Sequence, residues 1–500
     1  MRMAAPACLV ILATAVCLHA GVIRGVVVEN FTSKPLARAE VILQPIGGTP
    51  GGGATHRADA HGGFVFDSLA EGQYLVKASR YGFMPAEYGQ KRWNSAGTPV
   101  ALEGDGSLFL NIRLLRYSAI SGTVVDENEE GLSGHEVVAY RNSKPPEVMA
   151  HATADERGVY RLHGLTPGIY VVRTIGDQSN EGSYLPTFAK ETDQFDQART
   201  IELFPDQEAG DLDVRPLPGP LNSLSVSVGG VPPNADVAIT LVCQLWRRTV
   251  KATSHHFASL APGEYEVFAQ APSAPAPGEG ITGGYQRISI GRDSRNPGVT
   301  VLLRPGSAVS VTGGPARDWG RMRIRRADLA GTGPSSPLPI VNGVATIPAG
   351  RWEIMLEPPS GYYVARFSPP MMPAAASFGR PDGWEEVMSP GNGGRFTLSG
   401  GPSAIRGTVK NSDEPVAGAP VYLEAYDPHS EKRQAELRVA ISGRRGQYRF
   451  DNLAPGRYRI LSTFEYLSPD VETMAAAGAQ LLTVDARNEM ARDLDLYVIR

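Results

Sequence analysis

The chain has 500 residues, 48 Lys and Arg against 52 Asp and Glu, and a formal net charge of −4, so no basic excess supports nucleic-acid binding. With 42% hydrophobic and 20% charged residues it is globular rather than disordered, and it is too long for one ordinary core. The 56 Gly and 40 Pro, without a collagen period, point to many tight turns between short strands.

Residues 1–20 read as a secretory signal peptide. Arg2 precedes the apolar run "ACLVILATAVCLHA", and the small Ala20 stands before "GVIRGVVV". The run is short for a membrane span, and Thr14 and Val16 do not fit a lipobox before Cys17. Cleavage leaves Cys243 alone, so no intrachain disulfide is expected; within "ITLVCQLW" it reads as a buried, inert thiol. No later apolar run of about 18 residues exists, so no membrane span is expected after signal removal. The expected location is periplasmic, outer-surface or extracellular.

Beyond the leader one unit recurs. Leu, two residues, Gly, one residue and an aromatic appear as "LAEGQY" (Leu69, Gly72, Tyr74), "LTPGIY" (Leu165, Gly168, Tyr170), "LAPGEY" (Leu260, Gly263, Tyr265) and "LAPGRY" (Leu453, Gly456, Tyr458). "IPAGRW" (Ile347, Gly350, Trp352) is a weaker copy. The spacing of roughly 95 residues is domain-sized rather than solenoid-like. Pro455 and Gly456 suit a type II turn. Tyr448 and Phe450 before the turn, and Tyr458 and Ile460 after it, alternate with polar residues, which predicts a hairpin with one buried face. Gly62, Gly158 and Gly446 stand seven residues before the Leu, and Asp59 and Asp155 three before two of those glycines, as turn residues. Units open on "VIRGVVV", "AISGTVV" and "AIRGTVK" and close on strands such as "LFLNIRLL", "GVTVLL" and "RDLDLYV". Each unit is therefore all-β, with about seven short strands, the pattern of a small sandwich. "DVETMAAAGAQLL" is the best helix candidate, worth a turn or two.

"SGTVVDENEEGLSGHEVVAY" followed by "DERGVYRLHGLTPGIYVV" resembles the carboxypeptidase regulatory-like domain. The resemblance implies a transthyretin-like (prealbumin-like) sandwich that is itself non-catalytic. It is specific in units one, two and five and degenerate in three and four. A fibronectin type III array, which shares a Leu-x-Pro-Gly turn, fits less well, because its Tyr usually follows the Gly at three residues. The expected organisation is a signal peptide at 1–20 and five tandem β-sandwiches at 21–117, 118–217, 218–305, 306–402 and 403–500.

The residues offer little chemistry. No His of the nine is followed by Glu three residues later, and His135 with Glu136, or His255 with His256, fall on opposite strand faces. No G-x-S-x-G elbow or G-x-x-x-x-G-K loop occurs. Asp59 and Asp155 supply one carboxylate per turn, too few for calcium. Arg321, Arg323 and Arg325 line one face of "RMRIRR", which suits a solvated strand face or, less well, an acidic polymer. No catalytic residue, metal site or cofactor is expected. Trp93, with Tyr88 near it, and Trp384 lie in loop-like text where an aromatic ring can stack on a sugar face or pack its own loop. The first expectation for function is an exported, non-catalytic binding protein of the bacterial cell envelope with a glycan ligand. The alternatives are a spacer or adhesion scaffold that tethers an envelope protein and, last, an accessory part of a hydrolase or peptidase system.

Overall fold

A computed structural model describes residues 21–499, except 47–48, 50–51, 144–145, 180–181, 232–234, 272–281, 293–296, 316–317, 349, 370–382, 390–392 and 430. The expected signal peptide lies outside the described residues. The chain forms two compact units, one of residues up to Tyr81 with Pro85–Leu114, the other of Gly82–Met84 with Leu115–Arg500.

The first unit is a sandwich of two sheets. In one, the opening strand Gly21–Glu29 lies between Gly63–Leu69, antiparallel, and the closing strand Ser107–Leu114, parallel. The other pairs Ala54–Arg57, Glu40–Ile46 and Gly72–Ser79 in that order, with Ala86–Glu87 and Val100–Leu102 added to the last. The second unit repeats this plan four times. Opening strands Ser118–Thr123, Asn222–Gly229, Ser307–Thr312 and Ser403–Asn411 each take a parallel closing strand: Glu208–Ala209, Gly298–Leu302, Gly394–Gly400 and Glu489–Ala491 respectively. The fold is thus all-β with tandem sandwiches, as the alternating patterns imply.

Glycine in the opening strand brings the closing segment especially close in the first, second and fifth sandwiches; the third and fourth pair in parallel without it. A Cβ at Gly25, Gly122 or Gly407 would stand 2.0, 2.0 or 1.6 Å from the carbonyl oxygens of Leu110 in the closing strand, and of Leu212 and Arg492 just after theirs. Only a residue without a side chain admits that approach. In the second and fifth sandwiches the same carbonyl accepts a tyrosine hydroxyl, from Tyr160 and from Tyr448 (2.6 Å). Gly62, Gly158 and Gly446 form a second matched set. Their φ angles are +73°, +76° and +73°, and their carbonyls accept from Val27, Val124 and Val409 at 2.8 Å.

The recurring Leu-x-x-Gly-x-aromatic segment is not a hairpin. Gln447–Leu453 pairs with the opening strand, whereas Gly456–Thr463 pairs with Pro420–Asp427 of the facing layer, the two layers being joined through Leu494–Tyr497. Gly63–Leu69 and Gly72–Ser79 separate in the same way. The segment is an arch that carries the chain across the core from sheet to sheet. Alternation gives both strands an inward face, and it reads the same whether the strands are neighbours or face each other. The glycines confirm the difference: Gly72, Gly168, Gly263 and Gly456 have φ of +157°, +151°, +149° and +159°, far from the type II value.

The motif tyrosine closes the arch. Tyr74, Tyr170, Tyr265 and Tyr458 donate their hydroxyls to the carbonyls of Ala70, Thr166, Ala261 and Ala454 at 2.6–2.7 Å, each four residues back. In the fourth sandwich Trp352 takes this place, and its buried indole N–H finds no partner among the described residues. Tyr458→Phe is expected to lower the stability of the fifth sandwich by about 1 kcal/mol, one hydrogen bond lost at a part-buried carbonyl, read as a lower urea midpoint for hydrogen exchange in strand Gly456–Thr463.

Candidate functional site

Tyr88 and Trp93 share one loop of the first unit, and both are half-buried. The loop is pinned by its own bonds: Tyr88 N–H donates to Val76 O, Thr98 N–H to Tyr88 O, Gly97 N–H to Glu87 Oε2 and Gln90 Nε2 to Trp93 O, all at 2.8 Å. Trp384 lies in the second unit, in the fourth sandwich, and differs from the loop-aromatic expectation. It is only 4% exposed, and the Arg325 guanidinium sits 4.0 Å from its ring centroid. Arg325 is held there by Glu353 at 2.6 Å. Trp384 therefore spends its ring face on its own sandwich, because a desolvated guanidinium gains from the π-face.

The arginine row resolves similarly. Met322 and Ile324 enter the core, while Arg323 meets Glu357 at 3.7 Å and Arg325 meets Glu353. His135 is buried, whereas Glu136 points outward to His151 Nδ1 at 2.9 Å. Asp155 Oδ1 accepts from Arg157 N–H and Val159 N–H at 2.9 Å, and Asp59 Oδ1 does the same for His61 and Gly63. These backbone donors hold both carboxyls below their usual range, so the carboxylates serve the turns. Cys243 is half-buried rather than fully buried, has no disulfide partner among the described residues, and partial burial pushes its thiol up. Among the described residues no group of three or more His, Cys, Asp or Glu could hold a metal, and no helix is long and apolar enough to cross a membrane.

What the patterns did not reveal is a set of buried charges on outward positions. The residue after the motif aromatic points away from its own core; it is Leu75 and Val171 in the first two sandwiches but Glu266, Glu353 and Arg459 in the last three. All three charges are nevertheless buried, at 0%, 3% and 6% exposure. A charge recurring at one register position was the available signal. Its burial depends on what covers the sheet.

Glu266 is covered by the next sandwich. Its Oε1 accepts from Tyr285 Oη at 2.8 Å, and its Oε2 accepts from the Leu329 N–H of the fourth sandwich at 2.9 Å. Arg351 of the fourth sandwich approaches to 3.8 Å. Beside it Arg247 grips Asp328 through two bonds of 2.8 and 2.7 Å, with Asp328 8% exposed. Val242 and Phe268 pack on Ala330, and Arg326 lies 4.8 Å over the Phe268 ring. Both oxygens of the buried Glu266 and Asp328 carboxylates are hydrogen-bonded, the condition under which buried charge is tolerated, while Arg326 Nη1 is buried without a partner among the described residues. Burial and the Glu266 carboxylate push the Tyr285 hydroxyl up to about 12, so it remains a donor.

The second sandwich meets the third through Val138, Tyr140, Val171 and Phe188 packed with Leu245, and through Asp193 with Arg292 at 3.2 Å. The fifth covers itself. Glu424 holds Arg459 and Arg433, whose guanidinium groups reach the carbonyls of Val471 and Pro469 at 3.0 and 2.6 Å. These contacts dock the helix Val471–Ala476, N-capped by Asp470, so that Met474 seals Tyr422 and Leu461. Between sandwiches four and five lies a cleft of about 710 Å³, lined in part by the arch residues Asn452–Tyr458.

The parallel closing strand, the Asp59 turn and the arch at Gly72 all fall within the first unit, and there a known family can be recognised. Residues 22–114 match the carboxypeptidase regulatory-like domain. The later sandwiches repeat the plan of this regulatory-like domain. No curated protein matches the chain in sequence. Similar solved structures include the minor pilin of Streptococcus agalactiae, with 16% identity, 40% of this chain and 98% of that chain covered, and a TM-score of 0.26. The major pilin subunit of Bacillus cereus has 11% identity, covers 57% of this chain and 99% of that chain, and has a TM-score of 0.17.

Proposed function

We propose that the chain is an exported, non-catalytic scaffold of the cell envelope that holds its sandwiches in set orientations to present or tether a partner. The observation that carries this reading is the junction at Glu266, where the buried carboxylates of Glu266 and Asp328 are bonded from both sandwiches. Flexibly strung domains have no use for such a lock, since interfaces within a chain are ordinarily small and mobile. The reading keeps the five sandwich limits expected from sequence. It leaves Tyr88 and Trp93 as the positions where a glycan could stack, with Trp384 removed from that set. The test is the distance distribution between spin labels at Lys251→Cys and Val344→Cys, with the native cysteines changed to serine. A narrow distribution, unchanged in high salt, is expected; a broad one overturns the scaffold reading.

A further inference from the structure

A cavity of about 650 Å³ opens on the second sandwich, apart from the junctions. Its walls come from four segments: the end of the opening strand at Thr123 and Val125, the loop at Glu129, the turn Lys190–Glu191 with Arg199, and the closing segment at Asp213 and Arg215. Three of these residues are strained. Glu129, Lys190 and Glu191 have φ of +65°, +83° and +54°, a region that non-glycine residues rarely occupy. The turn that carries two of them is fixed by Phe188 N–H to Thr192 O at 2.7 Å and by Arg199 N–H to Ala189 O at 3.0 Å. Strain of this kind is kept where surrounding structure imposes it, and it gathers at ligand sites.

The charges divide into two groups. Arg215 is held between Glu191 at 3.4 Å and Glu129 at 3.8 Å, yet its Nε is buried and unpartnered. Asp213 accepts from Thr123 N–H at 2.9 Å. The cationic groups of Lys190 and Arg199 have no hydrogen-bonded or ion-paired partner among the described residues, although both line the cavity. Two uncommitted cations thus stand beside three carboxylates that still have lone pairs to spare, and Val125 is the one aliphatic residue in the lining.

We infer that this cavity binds a carboxylated sugar, such as a hexuronate residue of an acidic glycan. The ligand carboxylate lies between Lys190 and Arg199, the guanidinium offering the paired donors that a carboxylate matches. Ring hydroxyls donate to Glu129, Glu191 and Asp213, a use for acceptors that a simple anion would find repulsive. This site is independent of the junction at Glu266, so either reading can fail without the other.

Titration calorimetry on the full chain tests it, with trigalacturonate as the probe and galactotriose, inorganic phosphate and a Glu-rich peptide as comparison arms. Trigalacturonate is expected to bind, galactotriose is not, and Lys190→Ala with Arg199→Ala is expected to weaken trigalacturonate at least about tenfold. Arg199→Lys is expected to retain part of the affinity. Absence of trigalacturonate binding, equal affinity in the double variant, or tighter binding of the peptide or phosphate each overturns the assignment.

Discussion

Gly407→Ala is expected to unfold the fifth sandwich and leave the others folded. The new methyl carbon would stand 1.6 Å from Arg492 O and 2.5 Å from its carbonyl carbon. The obstacle is backbone, and that backbone cannot give way. Arg492 N–H donates to Arg406 O at 2.7 Å, Arg492 O accepts from Tyr448 at 2.6 Å, and Asp493 binds both Thr408 N–H and Lys410 Nζ. Relief requires separating the opening and closing strands, at a cost of roughly 4 kcal/mol or more, most of a small domain's stability. Gly478→Ala is the control: its φ is +66°, but nothing lies within 4 Å of the added carbon, so about 1–2 kcal/mol is expected. Hydrogen exchange on the full chain, read across 403–499, separates the two. Retained protection in Gly407→Ala would refute the close-approach account.

Glu266→Ala is expected to open the junction between the third and fourth sandwiches without unfolding either. The substitution strands the Tyr285 hydroxyl and the Leu329 N–H and removes one of two carboxylates beside Arg351, which keeps Glu386 at 3.0 Å. Each donor left unsatisfied while it stays buried costs about 1–3 kcal/mol. Here the donors can regain water by separation of the two sandwiches, so the loss should appear as faster exchange at Leu329 and a broadened spin-label distance. Glu264→Ala, which removes an exposed pair with Arg287 at 2.9 Å, should cost no more than about 1 kcal/mol and leave that distance unchanged. If Glu266→Ala behaves like Glu264→Ala, the network does not hold the junction.

Both predictions rest on positions whose importance was unequally visible. Gly407 stood in the repeated opening "AIRGTVK", so its recurrence was legible even though the carbonyl it admits was not. Glu266 shared its register position with Glu353 and Arg459, a recurrence that was legible, but nothing in it told a buried charge from a solvated one. The same holds for the aromatics. Trp93 and Trp384 sat in similar loop-like text, yet one is half-buried in a loop pinned by its own bonds and the other is sealed beneath Arg325. The cavity at Lys190 and Arg199 left no mark at all, since its residues come from four separated segments and its backbone strain has no composition.

The sequence by itself determined what is local. Period-two alternation and recurring Gly, Pro and Asp turns specify short strands with one buried face. A repeat of domain length specifies that the small sandwich recurs, and six residues of helix were placed where "DVETMA" put them. Only the tertiary structure decided what is shared between distant residues. Strand partnership turned the expected hairpin into an arch, because an alternating strand serves either sheet equally well. The cover on each outer face turned Glu266 from a surface charge into a buried lock, because desolvation depends on which residues arrive from elsewhere in the chain.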